Sequence, residues 1–246
     1  MTSGTVSEEQ NSAPVEPPPT ASMADWRDFA GPYVAFLALT TLDSWSPLRP
    51  YYPWLYALTI VLVSLFCWIS RRAFPTWSWR GVGWGVIAGV VGVFLWVGLC
   101  RLDLEGRINE YLPDGMRMGQ RVGYNPWEEV ATRAGQIAFL CVRLAGMALL
   151  VPLIEELFWR GCVWRYLQND NFTAVPWGVP SRASIIGVTI LFASTHTEYI
   201  TAIAWVLLIN VLFVYSRNLW SCIVAHAVTN LLLAAYVLQT GHWELW

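Results

Sequence analysis

The sequence carries little charge. Only 13% of its 246 residues are charged, the formal net charge is -2, and no residue is lysine, so all 15 basic residues are arginine. Proteins that bind nucleic acid present a clustered basic face, which this composition does not supply. We therefore expect no nucleic-acid partner, and the bias towards arginine indicates no mechanism by itself.

The cysteines also exclude a class of protein. There are five, an odd number, and they are widely spaced with no CxxC pair: Cys67, Cys100, Cys141, Cys162 and Cys222. Neither a disulfide framework nor a cysteine metal site follows from this spacing. We expect them to be packing residues, because free cysteine is among the most buried side chains.

Apolar residues dominate instead. They make up 56% of the chain, and the mean hydropathy is +0.44. A membrane span needs about 20 largely apolar residues. The apolar segments lie at 29–43, 54–70, 81–100, 135–166, 183–197, 200–216 and 219–238. The sequence therefore predicts an all-α, polytopic transmembrane helix bundle of about seven to eight spans.

The polar amino terminus differs from the rest of the chain. Residues 1–24 are rich in Ser, Thr, Glu and Pro and offer almost nothing to bury, so we expect a disordered tail. They lack the basic stretch and following apolar core of a cleaved signal peptide. Residues 25–246 are predicted to form a single transmembrane domain, with its chemical motifs between 135 and 238. The oligomeric state does not follow from the sequence.

The arginines suggest an orientation, because cytoplasmic loops carry the excess of basic residues. With the amino terminus in the cytoplasm, the cytoplasmic arginines are Arg27, Arg71, Arg72, Arg80, Arg160, Arg165, Arg182 and Arg217. The opposite side receives Arg49 and the 101–133 loop, whose arginines are balanced by acidic residues. This loop either forms an amphipathic surface helix or is a solvated connection. We expect an integral protein of a bacterial cell membrane.

Ionisable groups inside a membrane cost about 2.5–3.5 kcal/mol each on insertion scales, so they are functional or paired by default. Counted from the nearest predicted cytoplasmic helix end, Glu156 lies at a depth of about 16 Å and His196 at about 18 Å. His226 and Asn230 lie at about 10 and 16 Å on the same rise. Because three helices place polar groups at similar depth, we expect a shared polar cavity.

The segment VPLIEELFWRG contains adjacent carboxylates. Glu156 and Arg160 are four residues apart, so they share one helix face and can pair. Glu155 is then the candidate general base, because partial desolvation disfavours the charged form and brings a carboxylate into the useful range near neutral pH. His226 and Asn230 are also four apart, and their N–H groups could face a developing oxyanion.

Three motifs in order carry a resemblance: Glu155-Glu156-x-x-x-Arg160, Phe192-x-x-x-His196 and His226-x-x-x-Asn230. They resemble those of the CPBP family of CAAX-type prenyl-protein endopeptidases and bacteriocin-processing enzymes, over about residues 135–238. The tryptophan-rich front half, with WSPLRPYYPWLY, is similar to the CAAX-protease-related branch that accompanies bacterial exosortase sorting systems.

The resemblance implies a glutamate-dependent intramembrane endopeptidase. Glu155 and His196 would activate water, Glu156 and Arg160 would hold the site, and His226 and Asn230 would stabilise the tetrahedral intermediate. The substrate would be a membrane-associated peptide or protein, either of the prenylated CAAX type or with a carboxy-terminal sorting signal. No cofactor is implied.

Other functions stay open. Two histidines and a carboxylate with an open position would suit catalytic zinc, which we disfavour because the HExxH helix pair is missing. No acid completes a triad with Ser194 or Ser221, which argues against a serine mechanism. Alternatively, the chain is a non-catalytic scaffold, immunity factor or small transporter with a polar midplane cavity, although it shows no internal repeat.

Further intramembrane residues are expected to have structural and not catalytic roles. Gly81, Gly85 and Gly89 form a small-residue stripe that allows close helix approach. Asn210 is expected to hydrogen-bond neighbouring helices. Arg143 is expected to extend outward to the far membrane interface.

Overall fold

The chain folds into helices joined by short connections. The computed structural model describes residues 20–43, 46–119 and 123–246, and within these ranges it contains no β-strand. Of the predicted tail, residues 1–19 lie outside the described part. The seven main helices are α1 (Met23–Asp43), α2 (Tyr52–Ile69), α3 (Val82–Cys100), α4 (Arg133–Tyr166), α5 (Arg182–Ser194), α6 (Tyr199–Ser216) and α7 (Leu219–Thr240).

The described residues contain five helices that are long and apolar enough to cross a membrane: α3, α4, α6, α7 and the helical stretch Leu48–Ile69 that includes α2. Helix α5 is apolar but shorter, and α1 has fewer consecutive apolar residues. Large apolar side chains point outward from the bundle, among them Leu65 on α2 and Phe94 on α3. The predicted polytopic helix bundle is confirmed.

Short helical turns fill the connections. The described part of the 101–133 loop holds the α-helical turns Leu104–Asn109 and Pro126–Glu129 and the 3-10 turn Asp114–Met116. No long amphipathic surface helix occurs in the part of this loop that the structure describes. The remaining 3-10 turns are Ser46–Tyr51, Arg71–Ala73, Phe172–Ala174 and Trp243–Leu245.

Helices α3 and α7 approach closely through glycines of α3. A Cβ atom on Gly85 would lie 2.5 Å from the Ser221 carbonyl oxygen, and one on Gly89 would lie 2.6 Å from that of Ala225. The predicted close packing of this stripe is therefore present. At the contact, the Thr229 hydroxyl donates a hydrogen bond of 3.0 Å to the Gly89 carbonyl oxygen. This contact fixes the helix that carries the third motif.

Helix α4 is not a regular α-helix. It contains π-helical segments at Gly146–Leu150 and Leu157–Val163, one on each side of the α-helical turn Val151–Glu156 that carries both glutamates. The first π segment ends just before Pro152, whose ring would clash with the carbonyl four residues earlier in a regular helix. Such widened turns are frequent at functional sites.

Candidate active site

Four of the six predicted site residues line one cavity. Glu155 from α4, His196 from the turn after α5, and His226 and Asn230 from α7 border a space of about 720 Å³. Glu156 and Arg160 lie behind the cavity wall and are fully buried. The arrangement brings the three motifs together, with two of the residues supporting the wall instead of facing the space.

The buried side chains Glu156 and Arg160 form an ion pair. Both carboxylate oxygens of Glu156 lie within hydrogen-bonding distance of Arg160 Nη1, at 3.1 and 3.0 Å. Arg160 Nη2 donates to Asn210 Oδ1 at 3.1 Å, and Asn210 in turn donates to the Thr189 hydroxyl at 3.4 Å. A buried ion pair needs such additional hydrogen bonds to offset its desolvation. The network joins α4, α5 and α6, and Asn210 links helices as predicted.

His226 also interacts with Glu156. Its Nδ1 lies 3.0 Å from Glu156 Oε1, so the carboxylate orients the ring. Because Nδ1 is engaged by Glu156, Nε2 is the ring nitrogen left for the cavity. The sequence motifs did not predict this contact between the first and third motifs. Glu156 is thus the carboxylate that joins an arginine on its own helix to a histidine on another.

His196 lies two residues beyond the end of α5, where the sequence predicted a helix to continue through residue 197. Its Nδ1 is 2.9 Å from the Phe192 carbonyl oxygen and 3.2 Å from the Thr195 hydroxyl oxygen. Carbonyls in the last turn of a helix lack the usual intrahelical partners, and the Phe192 carbonyl oxygen also accepts hydrogen bonds from the backbone N–H and the hydroxyl of Thr195. The contact holds His196 at the cavity by means of its own helix end.

Aromatic rings separate and orient the two histidines. The ring of Phe192 stacks on His196 with centroids 4.4 Å apart and on Trp205 at 5.3 Å. Trp205 then meets His226 edge to face at 4.7 Å. This continuous series of ring contacts restricts the rings of both histidines. Phe192 belongs to the second motif, whereas no sequence pattern indicated Trp205.

The Asn230 side chain forms a hydrogen bond with the backbone of α4. Its Nδ2 donates a hydrogen bond of 2.7 Å to the Met147 carbonyl oxygen. In a π-helical turn this carbonyl would bond to the backbone nitrogen of residue 152, but Pro152 has no N–H to give. Asn230 supplies the missing donor. Since an amide nitrogen carries two N–H groups, the second remains for the cavity.

Glu155 has a further neighbour that the sequence did not indicate. Its residue surface is 8% exposed, and it lines the cavity. Tyr33 of α1, which is 2% exposed, interacts electrostatically with Glu155 and contacts Thr195 beside His196. A single tyrosine in an apolar helix has no pattern that would predict this position.

Arginine and aromatic side chains line the other end of the cavity. Arg143 faces the space and its Nη1 donates to the Tyr52 hydroxyl. Arg143 therefore borders the cavity, with its guanidinium among aromatic residues of α2 and of the segment after α7. Tyr124 lies at the same end, where burial and then the nearby Glu129 carboxylate raise its pKa to about 12, so its hydroxyl keeps its proton near neutral pH.

The donor groups in the described residues include no cluster of three or more His, Cys, Asp or Glu side chains that could hold a metal ion. Glu156 engages Nδ1 of His226, and the Phe192 carbonyl engages Nδ1 of His196. Each histidine therefore directs one of its nitrogens to a protein partner.

The part of the chain that contains the three motifs matches a known protein family. Residues 137–232 match the family described as type II CAAX prenyl endopeptidase Rce1-like. The matched segment is similar to the Rce1-like family over less than half of the chain. It contains all six predicted site residues, and the match confirms the resemblance that the three motifs indicated. No curated protein and no solved structure matches the chain.

The Rce1-like segment supplies one part of the cavity wall. The Rce1-like family is a protease family, and the apolar helices make the chain an integral membrane protein. The segment provides the carboxylate, the histidines and the asparagine. Much of the opposite end of the cavity lies outside the matched residues, with contributions from Arg49, Tyr52, Tyr124 and Trp246. Regions that flank the matched segment therefore contribute much of that end.

Proposed function

We propose that the chain is an intramembrane endopeptidase that hydrolyses a peptide bond of a membrane-associated substrate. The observation that carries the proposal is the cavity in which Glu155, His196 and His226 face one space from three separate helix regions. Intramembrane ionisable groups that face a cavity are functional by default. The match of this segment to a protease family supports hydrolysis as the reaction.

In the proposed mechanism, Glu155 acts as general base. It accepts a proton from a water molecule as the water oxygen attacks the scissile carbonyl carbon, and the same proton then passes to the leaving amine nitrogen. His196, held by the Phe192 carbonyl, orients the attacking water through its second ring nitrogen. Holding a reactant in the attack geometry lowers the entropic part of the barrier.

His226 and Asn230 stabilise the oxyanion in this proposal. A neutral imidazole carries one N–H, so a His226 that donates to both Glu156 and the oxyanion must be the charged imidazolium. The Glu156 carboxylate, which also pairs with Arg160, lies 3.0 Å from that ring and so offsets the two positive charges only in part. Fixed donors of this kind are often worth several kcal/mol because they need no reorganisation during the reaction.

The position of the cavity end indicates the side of the membrane from which the substrate would approach. Arg49 lies in the connection between α1 and α2, at the end of the bundle opposite the start of α1. Tyr124 packs against Tyr52 at the start of α2, and Trp246 lies near Arg143. With a cytoplasmic amino terminus, the substrate's reacting segment would approach from the non-cytoplasmic side. A membrane-impermeant maleimide should then label Tyr124→Cys from outside intact cells above the level of the unsubstituted chain, whose five free cysteines give the background. Labelling only after the membrane is opened would reverse the orientation.

Cleavage of a defined peptide tests the proposed function. The purified chain in lipid nanodiscs is incubated with an internally quenched farnesyl-cysteine peptide, and products are identified by mass spectrometry. We expect cleavage, with Glu155→Gln reducing its rate by at least about 100-fold, the usual contribution of a general base. Glu128→Gln, an exposed carboxylate outside the cavity, should retain the wild-type rate. Equal rates for both variants would contradict the proposal.

A further inference from the structure

Arg143 is a cation that faces the cavity without an ionic partner in the described part of the chain. The other arginines at the site are neutralised, Arg160 by Glu156 and Arg49 by Glu129 at 2.9 Å. Arg143 is instead held by the Tyr52 hydroxyl, with the ring of Tyr56 at 5.0 Å from its guanidinium carbon.

These contacts orient the guanidinium, and no carboxylate of the described residues forms an ion pair with it. The rings of Tyr52 and Trp246 lie at 5.9 and 5.7 Å, so aromatic faces surround the cation. Aromatic faces attract a cation but carry no net charge. A guanidinium at the end of a half-dry cavity favours an anionic ligand, and its planar donors match a carboxylate in two parallel hydrogen bonds.

The position of Arg143 relative to Glu155 suits a peptide terminus. The two residues are twelve apart on α4, which corresponds to about 18 Å along a regular helix. Both side chains border the same cavity. An extended peptide spans about 3.3–3.6 Å per residue. A separation of about 18 Å along the helix therefore corresponds to about five extended residues between a peptide bond at Glu155 and Arg143.

We propose that Arg143 binds the free carboxy-terminal carboxylate of the substrate and so selects peptides cleaved a few residues from their end. This assignment rests on the proposed function, because it takes the Glu155 end of the cavity as the place of cleavage. Arg143 acts as a specificity-determining residue: it contacts the substrate terminus and takes no part in the movement of protons at the scissile bond.

Matched acid and amide peptides test the assignment. The farnesyl-cysteine peptide is made with a free carboxylate and with a terminal amide, and binding of each to the Glu155→Gln variant is measured in phosphatidylcholine nanodiscs. Loss of a charge-assisted hydrogen-bond pair reduces affinity by about tenfold or more. We expect the acid to bind at least about tenfold more tightly than the amide, and Arg143→Gln to remove that difference.

Arg49→Gln is the matched control, because it removes the other arginine of the same cavity end and leaves Arg143 in place. It should preserve the preference for the acid, and Arg143→Lys should retain part of it. Equal binding of acid and amide by the unsubstituted Arg143 protein overturns the assignment, even if Arg143→Gln does not fold. Arg143-dependent binding of phosphatidylglycerol without an acid preference would place a lipid phosphate there and also overturn it.

The two proposals fail in different ways. If wild-type chain binds the acid more tightly but cleaves neither peptide, the carboxylate site stands and the peptidase function fails. If wild-type chain cleaves acid and amide at equal rates in a Glu155-dependent manner, the function stands and the Arg143 assignment fails.

Discussion

Glu156 Oε1 lies 3.0 Å from Nδ1 of His226 while the same carboxylate pairs with Arg160. One fully buried carboxylate thus contacts side chains from two helices, α4 and α7. Its neighbour in the sequence, Glu155, lines the cavity. Adjacent glutamates point in different directions on a helix, which separates a supporting carboxylate from one that can reach substrate.

Removal of the supporting carboxylate should destabilise the fold. Glu156→Gln leaves Arg160 buried without its counter-charge, a change that costs about 3–5 kcal/mol. We expect a matching fall in the free energy of unfolding, measured by denaturant titration in mixed micelles. The double variant Glu156→Gln/Arg160→Met should lose less than the sum of the single variants, since the partners are coupled. Additive losses would contradict the pairing.

Much of this fold follows from the sequence, because seven apolar runs bounded by polar or helix-breaking residues predict the helices. The detail of α4 does not follow. An i, i+4 rule places Glu156 near Arg160, but it gives no indication of the π segments around Glu155 or of the contact from His226. The contacts of Arg143 do not follow from the sequence either, because Tyr52 and Trp246 are distant from it in the chain.

Asn230 and Pro152 should be energetically coupled. Asn230→Ala leaves the Met147 carbonyl without its donor and should cost about 1–3 kcal/mol. Pro152→Ala restores a backbone N–H, which can bond to that carbonyl in a π turn. In the Pro152→Ala background, Asn230→Ala should therefore cost less, as read from thermal unfolding of the four proteins. An equal cost in both backgrounds would rule out this role for Asn230.

The contact between α3 and α7 allows a matched glycine test. A Cβ at Gly89 would lie 2.6 Å from the Ala225 carbonyl oxygen, whereas one at Gly83 meets nothing within 4 Å. Gly89→Ala should lower the free energy of unfolding by about 1–3 kcal/mol through overpacking. Gly83→Ala should be neutral or stabilising. Similar behaviour of both variants in the same unfolding assay would contradict the close approach.

Chelation distinguishes water activation by Glu155 from zinc catalysis. No cluster of three metal-binding side chains occurs among the described residues, so peptide cleavage should continue after dialysis against a strong chelator. The assay compares rates before dialysis, after it and after zinc is added back. A loss of activity that zinc restores would assign the histidines to a metal and replace the mechanism proposed above.

The direct test of the central claim is the origin of the oxygen in the new carboxylate. In a single turnover in water enriched in oxygen-18, attack by water that Glu155 activates places one solvent oxygen in every product carboxylate, as measured by mass spectrometry. Glu155→Gln should form no product in the same time. A first-turnover product without solvent oxygen, or product formation by Glu155→Gln at the wild-type rate, would contradict the account.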